Sequence, residues 1–276
     1  MNYAFLEPWH AFLPRDGGHV IALAGGGGKT ALLDLFAEHY RDSGVPVVLT
    51  TTTRTEPLLQ WPARTWDELV KGGVADCLCL PPVVYVHAGL ARDGKWLGLR
   101  PETVDRLSEF CPDRLVICEA DGAGKRPLKI HREGEPLWPR RTSLAVAVLG
   151  TGGLGRPAGR VLHRLGRVPG GLLNELDPDA DLGWEHLQTL LLRPGGYLDR
   201  IPPGVPAVLA LTQLGDLADG IGLFGFLAEA MAHPRLPVVM LTELDRERRR
   251  VRVAYRSAAA IADADEQELD TPPDPQ

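Results

Sequence analysis

The stretch His19-Val-Ile-Ala-Leu-Ala-Gly-Gly-Gly-Gly-Lys-Thr30 decides how this chain is read. His19–Ala24 is a short apolar run, and four glycines follow it at once: a buried strand entering a tight turn. Thr30–Tyr40 then carries Leu32, Leu33, Leu35, Phe36 and Tyr40 at helical spacing, with Gly44 beyond as a stop. Strand, glycine turn and helix, in that order, are the context a phosphate loop needs. Glycines let consecutive backbone N–H groups point inward around an anion where a Cβ would intrude. The N-terminus of the helix adds its partial positive charge. On this reading Gly25, Gly26, Gly27 and Gly28 cradle phosphate, Lys29 reaches the terminal phosphates, and the Thr30 hydroxyl ligates Mg2+. A Walker A pattern wants glycine five positions before Gly28, where this chain has Leu23, so the loop is a shortened, glycine-filled variant. A merely flexible turn would leave the Gly-Lys-Thr ending and the strand–helix setting unexplained.

Working outward, Val45–Leu49 reads as a second strand that Thr50–Thr53 extends into a polar loop. Val83–Val86, Leu115–Cys118, Leu144–Leu149, Ala207–Leu211 and Val238–Leu241 are further apolar runs of strand length, with a helix near Leu217–Ala232. Continuously apolar strands separated by helical stretches predict a mostly parallel sheet covered on both faces. The fold expected is a three-layer α/β, P-loop NTPase-like domain over residues 1–262. A small helical insert is expected at 177–203, where Pro, Gly and Leu concentrate. Ligands of such sheets sit at the carboxyl ends of the strands. The glycine turn, the threonine run, Glu119–Gly122 and Gly150–Gly155 all follow strand ends, so one rim can gather them.

Leu115-Val-Ile-Cys-Glu-Ala-Asp-Gly122 resembles a Walker B strand, four apolar residues leading to acids. Glu119 and Asp121, two apart, can point the same way, and either can hold Mg2+ or polarise an attacking water. Glu119 ends the strand and is fixed by it, whereas Asp121 sits in a glycine-flanked turn and is expected to move. Strand-end carboxylates often only cap turns; the phosphate loop beside them favours the metal role. In Leu49-Thr-Thr-Thr-Thr-Arg54, Thr52, Thr53 and Arg54 are candidates for sensing a γ-phosphate and its metal. A solvated strand end accounts for the run equally well. Lys125-Arg-Pro-Leu-Lys129 is either a contact for phosphate or an acidic substrate, or a solvated basic loop. Gly150-Thr-Gly-Gly-Leu-Gly155 matches the dinucleotide fingerprint only formally, since no convincing helix follows, and it reads as a glycine loop at the site rim. His163 and Arg164, just beyond, read as structural. Leu211-Thr-Gln-Leu-Gly-Asp216 ends a strand where GTPases read guanine. Thr212 and Gln213 replace the usual Asn-Lys and Asp216 comes one place late, so ATP and GTP both stay open as ligands.

Composition bounds the rest. The chain has 276 residues, 44% of them hydrophobic and 24% charged, as an ordinary globular protein with a sizeable core does. No run nears the ~18 apolar residues of a membrane span, and the first residues lack an apolar signal core, so a cytoplasmic location without membrane contact is expected. Net charge is −6, and Asp263–Gln276 alone holds six acids and no base. That proline-rich stretch reads as a disordered acidic tail, and the neutral remainder argues against nucleic acid as a partner. Arg246–Arg252 reads as the solvated face of an edge strand. Cys77, Cys79, Cys111 and Cys118 fit no zinc spacing and read as small buried hydrophobes, with Cys77 and Cys79 on one side of a strand.

The ordered set Gly25-Gly-Gly-Gly-Lys-Thr30, Val48-Leu-Thr-Thr-Thr-Thr53, Glu119-Ala-Asp-Gly122 and Arg126-Pro-Leu-Lys129 resembles the YqeC family. So do the Val148–Pro157 loop and His163-Arg164, and the resemblance spans roughly Val20–Asp216. The family is described as accessory proteins for selenium-dependent molybdenum hydroxylases. The resemblance therefore implies a nucleoside triphosphate-dependent part in maturing such a hydroxylase, with the hydroxylase or its maturation proteins as partner. A P-loop kinase, a ligase-type transferase and a non-catalytic docking module are the alternatives.

Overall fold

The computed structural model describes residues 12–168, 170–215, 220–236, 238–243 and 250–256. In chain order these form β1 (Val20–Gly25), α1 (Lys29–Asp42), β2 (Val47–Thr51), β3 (Ala63–Thr65), α2 (Trp66–Cys79) and β4 (Val83–His87). A short hairpin follows, β5 (Gly89–Leu90) with β6 (Trp96–Leu97), then α3 (Pro101–Phe110), β7 (Leu115–Glu119) and β8 (Leu128–Lys129). The second half holds β9 (Thr142–Gly150), α4 (Ala158–Val161), β10 (Leu162–His163), α5 (Trp184–Leu192), β11 (Ala207–Thr212), α6 (Gly220–Met231), β12 (Val238–Glu243) and β13 (Arg250–Arg256).

Nine strands make one sheet in the order β13-β12-β11-β9-β1-β7-β2-β4-β3, parallel throughout except for the antiparallel β12–β13 pair at one edge. Of the basic segment, residues 250–252 lie in the edge strand β13, and the residues before them fall outside the described ones. The interior strands are apolar because both faces are covered. On one face, Ile21 and Leu23 of β1, Leu115 and Ile117 of β7 and Leu144, Val146 and Val148 of β9 pack under Leu32, Leu33 and Phe36 of α1. On the other, Val20, Val48 and Val116 meet α2 and α3. Farther along that face, Ala145, Ala147, Leu209 and Leu211 meet α5 and α6. Successive strand residues point to opposite faces, so the alternation splits the core into these layers. The 177–203 stretch contributes α5, and Leu187, Leu190, Leu191, Tyr197 and Leu198 from it are buried in the same core as β9 and β11.

The chain leaves β1 toward β2 and β4 on one side and returns later to fill β9, β11 and β12 on the other. β7 and β9 both hydrogen-bond β1, so the topological switch point lies at the carboxyl end of β1, where open α/β sheets bind ligands.

Two expectations about the cysteines are corrected: the strand assigned to Cys77 and Cys79, and the reading of all four as small buried hydrophobes. Cys77 and Cys79 lie in a helix, not a strand: the Thr65 hydroxyl accepts from the Glu68 N–H while Glu68 accepts from the Thr65 N–H, a capping box that starts α2. At 3.6 residues per turn Cys77 faces inward and Cys79 outward. The inward thiol meets Cys111 at the end of α3, and the two are joined as a disulfide with Cα atoms 5.9 Å apart. Cys118 alone is a free buried thiol. The acidic tail Asp263–Gln276 and Asp216 lie outside the described residues. Among the described residues no helix is long and apolar enough to cross a membrane.

Candidate functional site

The glycine turn owes its path to three left-handed glycines, with φ 116° at Gly25, 85° at Gly27 and 139° at Gly28. It is packed where a side chain has no room: a Cβ on Gly27 would lie 2.5 Å from Gly150 Cα, and one on Gly26 2.8 Å from Pro127 O. The Gly26 N–H donates to Val148 O at 2.9 Å, and the Thr212 hydroxyl donates to Gly27 O at 2.6 Å. Ends of β9 and β11 therefore hold the turn from one side, and α1 starts at Lys29 with Gly28 as its N-cap. The first amides of a helix have no partner inside it, so this end of α1 offers free donors and a positive dipole.

A cleft of about 470 Å3 opens here, in the size range of small-molecule sites. Gly27, Gly28, Lys29, Thr30, Thr53, Arg54 and Glu119 all line it. Gly25 and Gly26, expected to cradle phosphate with them, do not: their N–H groups are taken by Asp121 and Val148 O. At its floor the Thr30 hydroxyl donates to Glu119 Oε1 at 2.6 Å. Glu119 is buried, and burial raises its pKa, with Lys29 and the Thr30 hydrogen bond pulling back and Asp121 adding to the rise. A hydroxyl and a carboxylate side by side are hard-oxygen ligands, and Mg2+ characteristically takes one or two protein oxygens and completes its shell with phosphates and water. The pair fits that ion. Among the described residues no group of three or more His, Cys, Asp or Glu forms a self-sufficient metal cage.

Asp121 lies elsewhere. Its side chain is fully buried behind the turn and does not line the cleft. The Gly25 N–H donates to both its oxygens at 3.1 Å, Lys29 Nζ lies 3.1 Å from Oδ1, and Lys129 Nζ lies 3.0 Å from Oδ2. His131 Nε2 adds a 2.7 Å hydrogen bond to Oδ2. Burial works to raise this carboxyl, yet Lys29, His131 and Lys129 together hold it well below the usual carboxylate range. Burial holds His131 below its ordinary value, so at neutral pH the ring is uncharged and donates its Nε2–H. The expectation of a mobile turn acid is thereby corrected: four partners fix Asp121 in place.

The network continues inward. Lys129 Nζ, fully buried, also lies 2.9 Å from Glu135 Oε2, and Arg164 grips the Glu135 carboxylate with both guanidinium arms. Against its burial, Arg164 and Lys129 push Glu135 down to about 2. Tyr197 Oη accepts from the Lys129 N–H and donates to Lys129 O. His163, beside Gly124, is pushed down to about 4 by burial first and then by Arg164, Lys129 and Arg126.

The threonine run divides. The Thr50 hydroxyl donates to Val86 O, and Thr51 and Thr52 both donate to Glu119 O, so these three brace β2 against its neighbours. Thr53 and Arg54 reach the cleft, and Arg54 also pairs with Asp93 at 2.6 Å. Gly150 packs on the glycine turn, and Gln213 lines the cleft. Sequence reasoning missed His131, Glu135 and Tyr197. Lys129-Ile-His131 carried a usable signal, since two polar residues two apart in an extended segment share one face.

The family model of the YqeC protein matches residues 21–166 of the chain. A relative described as uncharacterized protein YqeC, from Escherichia coli (strain K12), is 29% identical over 228 residues, covering 78% of this chain and 83% of the relative. No solved structure matches.

Proposed function

The chain belongs to the YqeC family, and from that premise we propose that it is a Mg2+-dependent nucleoside triphosphatase of P-loop type that assists maturation of a selenium-dependent molybdenum hydroxylase. The observation that carries this reading is the 2.6 Å contact of Thr30 Oγ1 with Glu119 Oε1 on the floor of a cleft walled by Gly27, Gly28 and Lys29. On this reading the metal-ligand pair and the phosphate cradle lie side by side on one rim.

In this proposal the amides at the start of α1 receive the phosphates of ATP or GTP, and Lys29 supplies their counter-charge. Thr30 and Glu119 would hold Mg2+, which when bound neutralises charge on the phosphates. Asp121 is a positioning residue: from behind the turn it fixes the turn's path through the Gly25 N–H and holds Lys29. Thr53 and Arg54 are the groups available to a terminal phosphate from the opposite lip. Hydrolysis forms a bond from a water oxygen to the γ-phosphorus and breaks the bond to the β–γ bridging oxygen, which leaves with the nucleoside diphosphate. One water proton stays on the released phosphate and the other leaves to solvent.

Steady-state phosphate release from MgATP and MgGTP tests the reading. Release that disappears in Lys29→Ala supports it. Tight binding without release would reduce the protein to a nucleotide-dependent docking module, and a phosphorylated or ligated product would make it a transferase. The pathway is tested in cells lacking this chain, where molybdenum hydroxylase activity should fall with hydroxylase protein unchanged.

A further inference from the structure

The cleft runs past the glycine turn to a rim that phosphate binding does not use. Its walls carry five cations, Lys29, Arg54, Lys95, Lys125 and Arg126, against two carboxylates, Glu56 and Glu119. Such an excess of one sign in a cleft focuses the field on an incoming anion. Lys29 and Glu119 belong to the phosphate end. Arg126 donates to the carbonyls of Gly159 and Leu162 and so braces its own loop, and Arg54 is paired with Asp93.

Lys95 and Lys125 are arranged differently. They come from separate segments, the β5–β6 hairpin and the turn after β7, yet both approach the same oxygen, Glu56 Oε1, at 3.2 and 3.8 Å. The chain's own carboxylate thus marks a place where two ammonium groups converge on an anion. Glu56 and Lys125 are exposed, at 56% and 84%, and exposed ion pairs contribute little net free energy, so this carboxylate is exchangeable. The geometry is held from both sides. Thr55 and Trp96 exchange backbone hydrogen bonds of 3.1 and 2.9 Å, which keeps Glu56 and Lys95 in register. Lys125 adopts φ 62°, a left-handed conformation uncommon for a side-chain-bearing residue and concentrated at ligand clamps. Gln213, on the same cleft, has φ 58°.

We infer that Lys95 and Lys125 form the site of a second ligand, a small anion presenting a carboxylate or phosphate group, with Glu56 as the internal carboxylate that this ligand displaces. The inference deepens the nucleotide reading and rests on it for the other occupant of the cleft. Nucleotide and second anion are then bound together.

The test titrates the full chain with citrate as a carboxylate probe and glycerol 3-phosphate as a phosphate-monoester probe, with and without a non-hydrolysable Mg2+–triphosphate analogue. At least one probe is expected to bind in both conditions, and the arm that binds identifies the head group. Glu56→Gln should tighten that probe about threefold, and Lys95→Ala and Lys125→Ala should each weaken it about fivefold, the scale of one partly exposed ion pair. Affinity for the analogue should stay within about twofold. The inference is overturned if neither probe binds, or if Glu56→Gln leaves the probe unmoved. It is also overturned if the analogue displaces the probe and the lysine variants weaken the analogue, which would assign both lysines to the nucleotide's own phosphates. Failure of the analogue to bind, with the Glu56→Gln gain intact, would remove the nucleotide reading and leave the anion site standing.

Discussion

Lys29 Nζ lies 3.1 Å from Asp121 Oδ1, with both side chains buried, and the same carboxylate accepts the Gly25 N–H. Lys29 also donates to Gly25 O at 2.5 Å. The lysine at the end of the glycine turn is therefore held by the turn's first residue and by an acid lying behind it. That acid is itself secured by Lys129 and His131. One buried carboxylate thus couples the glycine turn to an ion-pair chain running through Glu135 to Arg164.

Asp121→Asn should lower stability at pH 7 by roughly 3–5 kcal/mol, because Lys29 and Lys129 lose the charge that compensates their burial. The pH dependence has a definite sign. Asp121 titrates in the fold well below its ordinary 3.8, so its contribution is present above about pH 4 and is lost as pH falls below it. Thermal melts from pH 7 down to pH 2.5 should show a smaller acid-induced loss in the variant than in the wild type. Parallel curves would mean that the network does not stabilise the ionised form.

Glu119→Gln should weaken Mg2+-dependent nucleotide affinity about tenfold or more, the size of one charge-assisted contact worth about 1.5–3 kcal/mol. Affinity measured in EDTA should hardly change. Because burial raises the Glu119 pKa, protonation should begin to weaken metal-dependent binding above the ordinary carboxylate value of 4.5. The glutamine variant should lack that pH limb. Equal losses with and without metal would return Glu119 to a strand-end cap.

Gly27→Ala should destabilise by about 1–3 kcal/mol and abolish nucleotide binding, since the residue combines φ 85° with backbone 2.5 Å from the added Cβ. Gly44→Ala separates the two causes. Gly44 has φ 78° but nothing within 4 Å of a Cβ, so it should lose only the ~1 kcal/mol of conformational strain and keep its ligand. Urea melts and a binding isotherm on both variants compare them directly.

The interior strands were legible because a parallel sheet buried on both faces writes each of them as an unbroken apolar run, as at Val20–Ala24 and Leu115–Cys118. Their order about β1 then gathered Gly27–Thr30, Thr53, Arg54 and Glu119 on one cleft, as the strand-end rule leads one to expect. The segment with Cys77 and Cys79 was misread because two cysteines alternating with leucines mimic a strand. Its helix is announced only by the capping box twelve residues earlier, at Thr65 and Glu68. The ion-pair chain was invisible for a different reason. Asp121, Lys129, Glu135 and Arg164 gain meaning from one another, and a loop of basic and acidic residues looks solvated until its burial is known. Convergence of Lys95 and Lys125 on Glu56 likewise depends on three loops that the sequence keeps far apart.

The most direct test of the central claim is calorimetric titration of MgATP and MgGTP into the wild-type chain and into Lys29→Ala, with circular dichroism confirming that both are folded. Lys29 is buried against Asp121, so folding of the variant is checked first; Asp121 keeps Lys129 and His131 when Lys29 is gone. The account predicts saturable binding of at least one nucleotide to the wild type and none to the variant. Equal affinity in the two proteins, or no binding to either, would contradict it.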